Sequence, residues 1–302
     1  MNSDKSLQPS DSAQIIDGNN SGDEIHALHL QDAEVTLFLE SILLKFGYDF
    51  RNYSRSHLLR RIHFRMQREG IKNVKGLHEK ILSSPGAFNI LLQDFSINVT
   101  EMFRDPHFFL AFRQKVVPIL STYPYIKVWN AGCSTGEEVF SLAIMLKEEN
   151  LLNKTQIYAT DFNKNVLEIA RKGIFSLEYI EGFNKNYKEA GGKYDLSDYY
   201  TSKYGSVKFD TSLSKKIVFA DHNLVMDQVF AEVHLIFCRN VLIYFNTSLQ
   251  QRVVGLFYNS LVNGGILCLG TKETIRHSEK ELDFSIVDRQ NRIFKKKQKI
   301  HL

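Results

Sequence analysis

The chain has 302 residues, 43% hydrophobic and 24% charged, with a formal net charge of +4, an ordinary globular balance with room for one large domain and a smaller one. No apolar run is long enough to cross a bilayer, and the polar start lacks the basic-then-apolar order of a secretory signal. The three cysteines, Cys133, Cys238 and Cys268, show no CxxC spacing, which argues against a disulfide framework or a metal site and fits a reducing, cytoplasmic setting.

In chain order, residues 1–32 are rich in Ser, Asp, Asn and Gln and are expected to be a disordered tail. Residues 33–97 read as a helical domain. Ala33–Lys45 has helical apolar spacing, Ser54–Gly70 carries a cap at Ser54 or Ser56 and a glycine stop, and Gly76–Leu82 and Phe88–Phe95 follow. Residues 98–124 form a linker, with a helix opening at Pro106 and apolar positions at Phe108, Phe109, Phe112, Val116 and Val117.

From residue 125 the pattern alternates. Strands are expected at Ile126–Asn130, Gln156–Thr160, Ile217–Ala220, Val233–Cys238 and Gly265–Leu269. Helices are expected at Glu137–Lys147, Asn165–Lys172 and Ser248–Leu261, and a closing hairpin pairs Phe284–Asp288 with Arg292–Lys296. This predicts an α/β fold: a mostly parallel, Rossmann-like sheet covered by helices, with an antiparallel C-terminal hairpin. Between residues 174 and 216 the alternation breaks in a tyrosine-rich stretch. It reads either as a small β insertion standing off the main sheet, with a hairpin of Asp198–Lys203 and Ser206–Thr211, or as a long loop.

Chemistry in such sheets sits at the carboxyl ends of the strands. After the first strand, Gly132 and Gly136 bracket a turn that leads into Glu137 and Glu138. This is not G-x-G-x-x-G, and two carboxylates in the first helical turn would repel a pyrophosphate. They suit a cationic ligand such as S-adenosylmethionine (SAM), or they serve only the helix dipole. Asp161, at the end of the second strand, is either a ribose ligand or a helix cap. Asn223 and Leu224 follow the third strand and suit an adenine, and Arg239-Asn240 follows the fourth. A charged and an amide group directly after an apolar strand are hard to explain by packing. Arg61, Arg65 and Arg68 share one stripe of the second helix, which is either a docking surface or a solvated face.

Three motifs carry a family resemblance: Asn98-Val99-Thr100-Glu101-Met102-Phe103-Arg104, Gly132-Cys133-Ser134-Thr135-Gly136-Glu137-Glu138, and Phe237-Cys238-Arg239-Asn240-Val241-Leu242-Ile243-Tyr244-Phe245. With them the chain resembles, from about Ala33 to Lys296, the chemotaxis receptor methyltransferases (CheR type), which use SAM to methylate glutamate side chains and release S-adenosylhomocysteine. The resemblance implies SAM contacts at Asn98, Thr100, Arg104, Glu137, Asp161, Asn223, Leu224, Arg239 and Asn240. It implies that Arg104 and Tyr244 orient the substrate carboxylate. It also implies an acidic helical partner, the cytoplasmic domain of a chemoreceptor, for the Arg61, Arg65 and Arg68 stripe. The enzyme is then expected to be a cytoplasmic monomer that meets the membrane only through its receptor, with no nucleic-acid partner. A SAM-dependent enzyme or SAM-binding regulator outside chemotaxis is the alternative. The chain departs from the family at Met102, at Val139-Phe140, and at Gly270-Thr271-Lys272-Glu273, which matches a serine-rich family stretch only loosely.

Overall fold

The computed structural model describes residues 20–96 and 100–298, with side chains from residue 32 onward. Four helices come first: α1 (Asn20–Phe46), α2 (Arg55–Glu69), α3 (Val74–Ser83) and α4 (Pro85–Phe95). Gly70 ends α2 in the left-handed region at φ 66°. Asn73 and Ser84 cap α3 and α4 by accepting from the backbone N–H three residues on. Residues 20–32, expected in the tail, are instead the first turns of α1. The physical reason is propagation: once Val35, Phe38 and Ile42 are packed and the helix is nucleated, each further turn costs little, whatever its polarity. Residues 1–19 lie outside the described residues.

Helices α5 (Pro106–Lys115) and α6 (Val117–Ser121) lead into the sheet domain. There follow β1 (Ile126–Ala131), α7 (Glu137–Glu148), β2 (Thr155–Asp161), α8 (Lys164–Lys172), β3 (Ile174–Ser176), α9 (Ile180–Glu189), β4 (Tyr200–Lys203), β5 (Ser206–Phe209), α10 (Thr211–Ser214), β6 (Ile217–Asp221), β7 (Val233–Cys238), α11 (Thr247–Ser260), β8 (Leu261–Leu269), β9 (Phe284–Asp288) and β10 (Ile293–Lys296). The seven-stranded sheet has the order β6-β2-β1-β7-β8-β10-β9. Its first five strands pair in parallel, and β10 is antiparallel to both β8 and β9. The chain leaves β1 toward β2 and β6, then returns to β7 on its other side. The crevice above β1 and β7 is therefore the switch point where ligands bind in such sheets.

Alternation along β1 divides the core. Val128 points into one apolar cluster with Phe140 of α7 and Phe108 and Phe112 of α5. Trp129 points into the other, with Phe257 of α11 and Phe38, Leu58 and Ile62 of the helical domain. The helical domain is thereby fused to one face of the sheet. The backbone joins them as well: Tyr53 bridges Phe245, and Ser54 N–H donates to the Tyr244 carbonyl at 2.7 Å.

The segment 174–216 does hold a separate sheet, of order β3-β5-β4. It does not stand off, however. Phe175, Tyr187, Tyr199, Val207 and Phe209 are buried in the cluster around Phe140. The predicted strand to Thr211 stops at Phe209, because Asp210 accepts from Ser212 N–H at 2.7 Å and starts α10. Glu148, at the end of α7, is the polar anchor of this packing. It accepts from the hydroxyls of Tyr187 and Tyr199 and pairs with Arg113. Burial, and then the Glu148 carboxylate, push the Tyr187 phenol up to about 12, against about 10 in an unfolded chain. The folded state holds this proton more tightly. Its stabilising contribution is therefore full below pH 10 and lost as pH rises toward 12. Chemical denaturation at pH 9 and pH 11.5 is expected to show a fall in stability that Tyr187→Phe reduces.

Candidate active site

The glycine turn after β1 forms the floor of the crevice. Gly132 (φ 76°) and Ser134 (φ 49°) take left-handed conformations. The N–H groups of Gly132 and Cys133 both donate to the Thr160 carbonyl, at 2.8 and 2.9 Å. A Cβ on Gly132 would lie 2.5 Å from a methyl of Val241, so only glycine lets the loop after β7 close on this turn.

Asp161 stands beside it, at the end of β2. One carboxylate oxygen accepts from Ser134 N–H and the other from Asn163 N–H, both at 3.0 Å. Burial raises the Asp161 pKa, and the N–H groups of Asn163, Ser134 and Phe162 oppose that rise. After β6, Asn223 accepts from Val225 N–H through its side-chain oxygen at 2.9 Å, so its amide N–H₂ is the group left for a ligand. Leu224 lies next to it, nearly buried.

After β7 the loop turns sharply. Asn240 is left-handed at φ 61°, and the single turn Leu242–Tyr244 presents Tyr244 toward α2. The Tyr244 ring lies 4.7 Å from that of His57. Burial raises the Tyr244 pKa, and the charges of Arg104 and Arg61 oppose it. Arg104 arrives from the linker between two residues with positive φ, Phe103 (51°) and Asp105 (57°). Both are anchored: Ser141 Oγ accepts from the N–H of the buried Phe103 at 2.9 Å, and Asp105 pairs with Arg239 at 2.7 Å. Strained backbone held from both sides fixes where Arg104 points.

These residues line one cleft, open to solvent: Thr100, Arg104, Asp161, Asn223, Leu224, Arg239, Asn240 and Tyr244. Asn98 lies outside the described residues. Glu137 is not in the wall. It is buried behind it, accepting from Thr135 Oγ1 at 2.6 Å and from the Thr100 hydroxyl, while burial raises its pKa. Its neighbour Glu138 faces the cleft instead, because adjacent helical positions point about 100° apart.

The Arg239 side chain is fully buried and its charge is spent within the protein. It pairs with Glu138 at 2.8 Å and with Asp105, donates to the Arg104 carbonyl at 3.2 Å, and lies 4.0 Å from the centre of the Phe108 ring. It therefore ties the linker to the ends of β7 and α7. The stripe on α2 divides too. Arg65 is mostly buried and paired with Asp94 of α4 at 2.5 Å and with Glu69 at 3.5 Å. Arg61 is half-buried near Tyr244, and Arg68 is exposed over Phe64. Helical periodicity cannot reveal that α4 supplies a carboxylate to this face.

Sequence reading missed several cleft residues. Tyr53, Phe95 and Phe162 supply aromatic wall, and their only sequence signal is ordinary core spacing. Glu138 was visible beside Glu137. Glu273, in the stretch that matches the family only loosely, lies outside the cleft wall, buried under the loop after β7 and accepting from its backbone.

The donor set fits SAM. Carboxylates at Glu138 and Asp161 favour a cationic ligand over a phosphate, Asp161 stands at a strand end where it can accept from a ribose hydroxyl, and an amide with a leucine lies beside an aromatic wall for a base.

Comparisons with known proteins agree with this geometry. Residues 98–292 match the family model described as CheR methyltransferase, SAM binding domain, and residues 33–96 match CheR methyltransferase, all-alpha domain. The Pseudomonas putida protein named Cher3 is 49% identical over 265 residues, covering 88% of this chain and 97% of that protein. The Borreliella burgdorferi chemotaxis protein methyltransferase is 29% identical over 85% of this chain and 93% of its own length. That of Escherichia coli is 27% identical over 84% and 88%. Among the described residues, no helix is long and apolar enough to cross a membrane. The strand order, the crevice at its switch point and both domain matches lead to one conclusion: the chain belongs to the CheR family of SAM-dependent methyltransferases.

Proposed function

We propose that this chain transfers the methyl group of SAM to glutamate side chains in the cytoplasmic helical domain of chemoreceptors. One observation carries the reading: Arg104 and Tyr244, a cation and a hydroxyl donor, line the same cleft as Asp161 and Asn240. The cofactor supplies a methyl group on a cationic sulfur. Asp161, Asn223, Leu224 and Asn240 hold its adenosine part, and Thr100 and Glu138 face the amino-acid end.

A glutamate side chain is ionised near neutral pH and needs no general base. What it needs is placement and loss of water. Arg104 holds the carboxylate, and the Tyr244 hydroxyl donates to one of its oxygens, so that the other is aimed along the line of attack. Charge vanishes as anion meets cation, so the buried aromatic wall of Tyr53, Phe95 and Phe245 favours the reaction by excluding water. Labelled methyl transfer to membranes carrying the organism's own chemoreceptors tests this. Base-labile label in the receptor band is the expected result, and SAM binding with no such label would assign a regulator instead.

On α2, Arg60, Arg61 and Arg68 are the arginines available to an acidic helix, since Arg65 is paired with Asp94 and Arg55 with Asp32. Arg60→Glu with Arg68→Glu is expected to raise the receptor KM about tenfold at low salt and leave SAM affinity unchanged, because rim charges act on encounter. Methylation kinetics across a salt series, with calorimetry for SAM, checks both halves.

A further inference from the structure

Glu273 lies under the loop that follows β7 and is 3% exposed. One carboxylate oxygen accepts from Val241 N–H at 2.8 Å and Leu242 N–H at 2.7 Å. The other accepts from Asn240 N–H at 3.0 Å and from Gly270 N–H. Its four lone-pair sites are thus filled by backbone donors, and none remains for a ligand. Three of the four donors are consecutive residues of the loop that holds Asn240 in its left-handed conformation and delivers Tyr244.

Gly270 is the second half of the device. A Cβ there would lie 2.8 Å from both Asn240 N and Glu273 Oε2, so glycine is what lets the end of β8 approach the loop. The turn closes on itself as Glu273 N–H donates to the Gly270 carbonyl at 2.9 Å. Burying a carboxylate is costly unless its oxygens are satisfied, and the loop amides satisfy this one. The loop and the carboxylate therefore specify each other's position.

We propose that Glu273 is a positioning residue for methyl transfer: with Gly270 it forms a G-x-x-E clamp that sets Asn240 against the cofactor and Tyr244 against the acceptor. The inference rests on the roles given to Asn240 and Tyr244 above. It assigns Glu273 no contact with either substrate.

Glu273→Gln keeps the size of the side chain but turns one end into an N–H₂ donor facing two N–H donors. Turnover is expected to fall about a hundredfold, the cost of a placement error of an ångström or so, with receptor KM changed less than threefold. Gly270→Ala, which leaves the carboxylate intact and pushes on Asn240, is expected to give the same pattern. The decisive measurement is the double-mutant cycle with Tyr244→Phe. If Glu273 acts through this loop, Glu273→Gln costs far less in the Tyr244→Phe background than in the wild type. Fully additive losses, or wild-type turnover in Glu273→Gln, would overturn the proposal. Should the chosen receptor not be methylated even by wild type, the acceptor assignment has failed and the clamp is read from S-adenosylhomocysteine binding. There, weakening in both single variants, with circular dichroism unchanged, supports the clamp, and unchanged affinity refutes it.

Discussion

Arg104→Ala is expected to lower turnover about a thousandfold or more, because the acceptor carboxylate loses the group that places it for in-line attack, while the far-ultraviolet circular dichroism spectrum stays that of the wild type. The reason is the way Arg104 is mounted. Its backbone is held by a buried Phe103 on one side and an ion-paired Asp105 on the other, both with positive φ. Its carbonyl is held by Arg239. Losing the side chain removes a cation from the cleft, while these backbone anchors of the linker stay in place. Arg104→Lys keeps the charge but not the planar fork that grips a carboxylate, so about a tenfold loss is expected there. Filter binding of labelled methyl under single-turnover conditions separates this chemical step from receptor association. Wild-type turnover in Arg104→Ala would remove the residue from the reaction.

Arg239→Met is expected to be the most destabilising single change at the site. The guanidinium is fully buried and neutralises Glu138 and Asp105 together. Its loss leaves the Glu138 carboxylate, only slightly exposed, without its charge partner beside apolar surface. Breaking such a pair costs about 3–5 kcal/mol, which is on the order of 10 °C in melting temperature for a domain of this size. The cation–π contact with Phe108 adds to the loss. Adding Glu138→Gln should return part of the stability, because the stranded charge goes with it. Differential scanning calorimetry of the single and double variants checks this. A single variant that melts with the wild type would show that the pair adds nothing net to the fold.

The sheet was legible in the sequence because its signals are local. Apolar runs such as Val233–Cys238 and Ile126–Ala131 mark buried parallel strands whatever surrounds them. Gly132 and Gly136 mark a turn because left-handed backbone is costly for other residues. The polar residues directly after those strands mark the rim of the crevice, because the carboxyl ends of parallel strands are where such a sheet meets its ligand.

What the linear pattern could not reveal is the partner of each charge, because the partners are distant in sequence. Arg239 reads as a ligand until Asp105 and Glu138 are brought to it by the linker and by α7. Arg65 reads as part of a docking face until α4 delivers Asp94. Glu137 and Glu138 are indistinguishable as a dipeptide, and only the orientation of α7 against the linker turns one inward to Thr100 and the other to the cleft. The same holds for Glu273, which gained its place from three amides more than thirty residues away. By itself the sequence determined which segments become strands and helices and which residues stand at strand ends, since backbone propensity and burial periodicity are short-range. Tertiary structure alone decided which of those residues stay available to a ligand and which are consumed holding the site together, because a buried charge takes whatever partner the packed fold sets beside it.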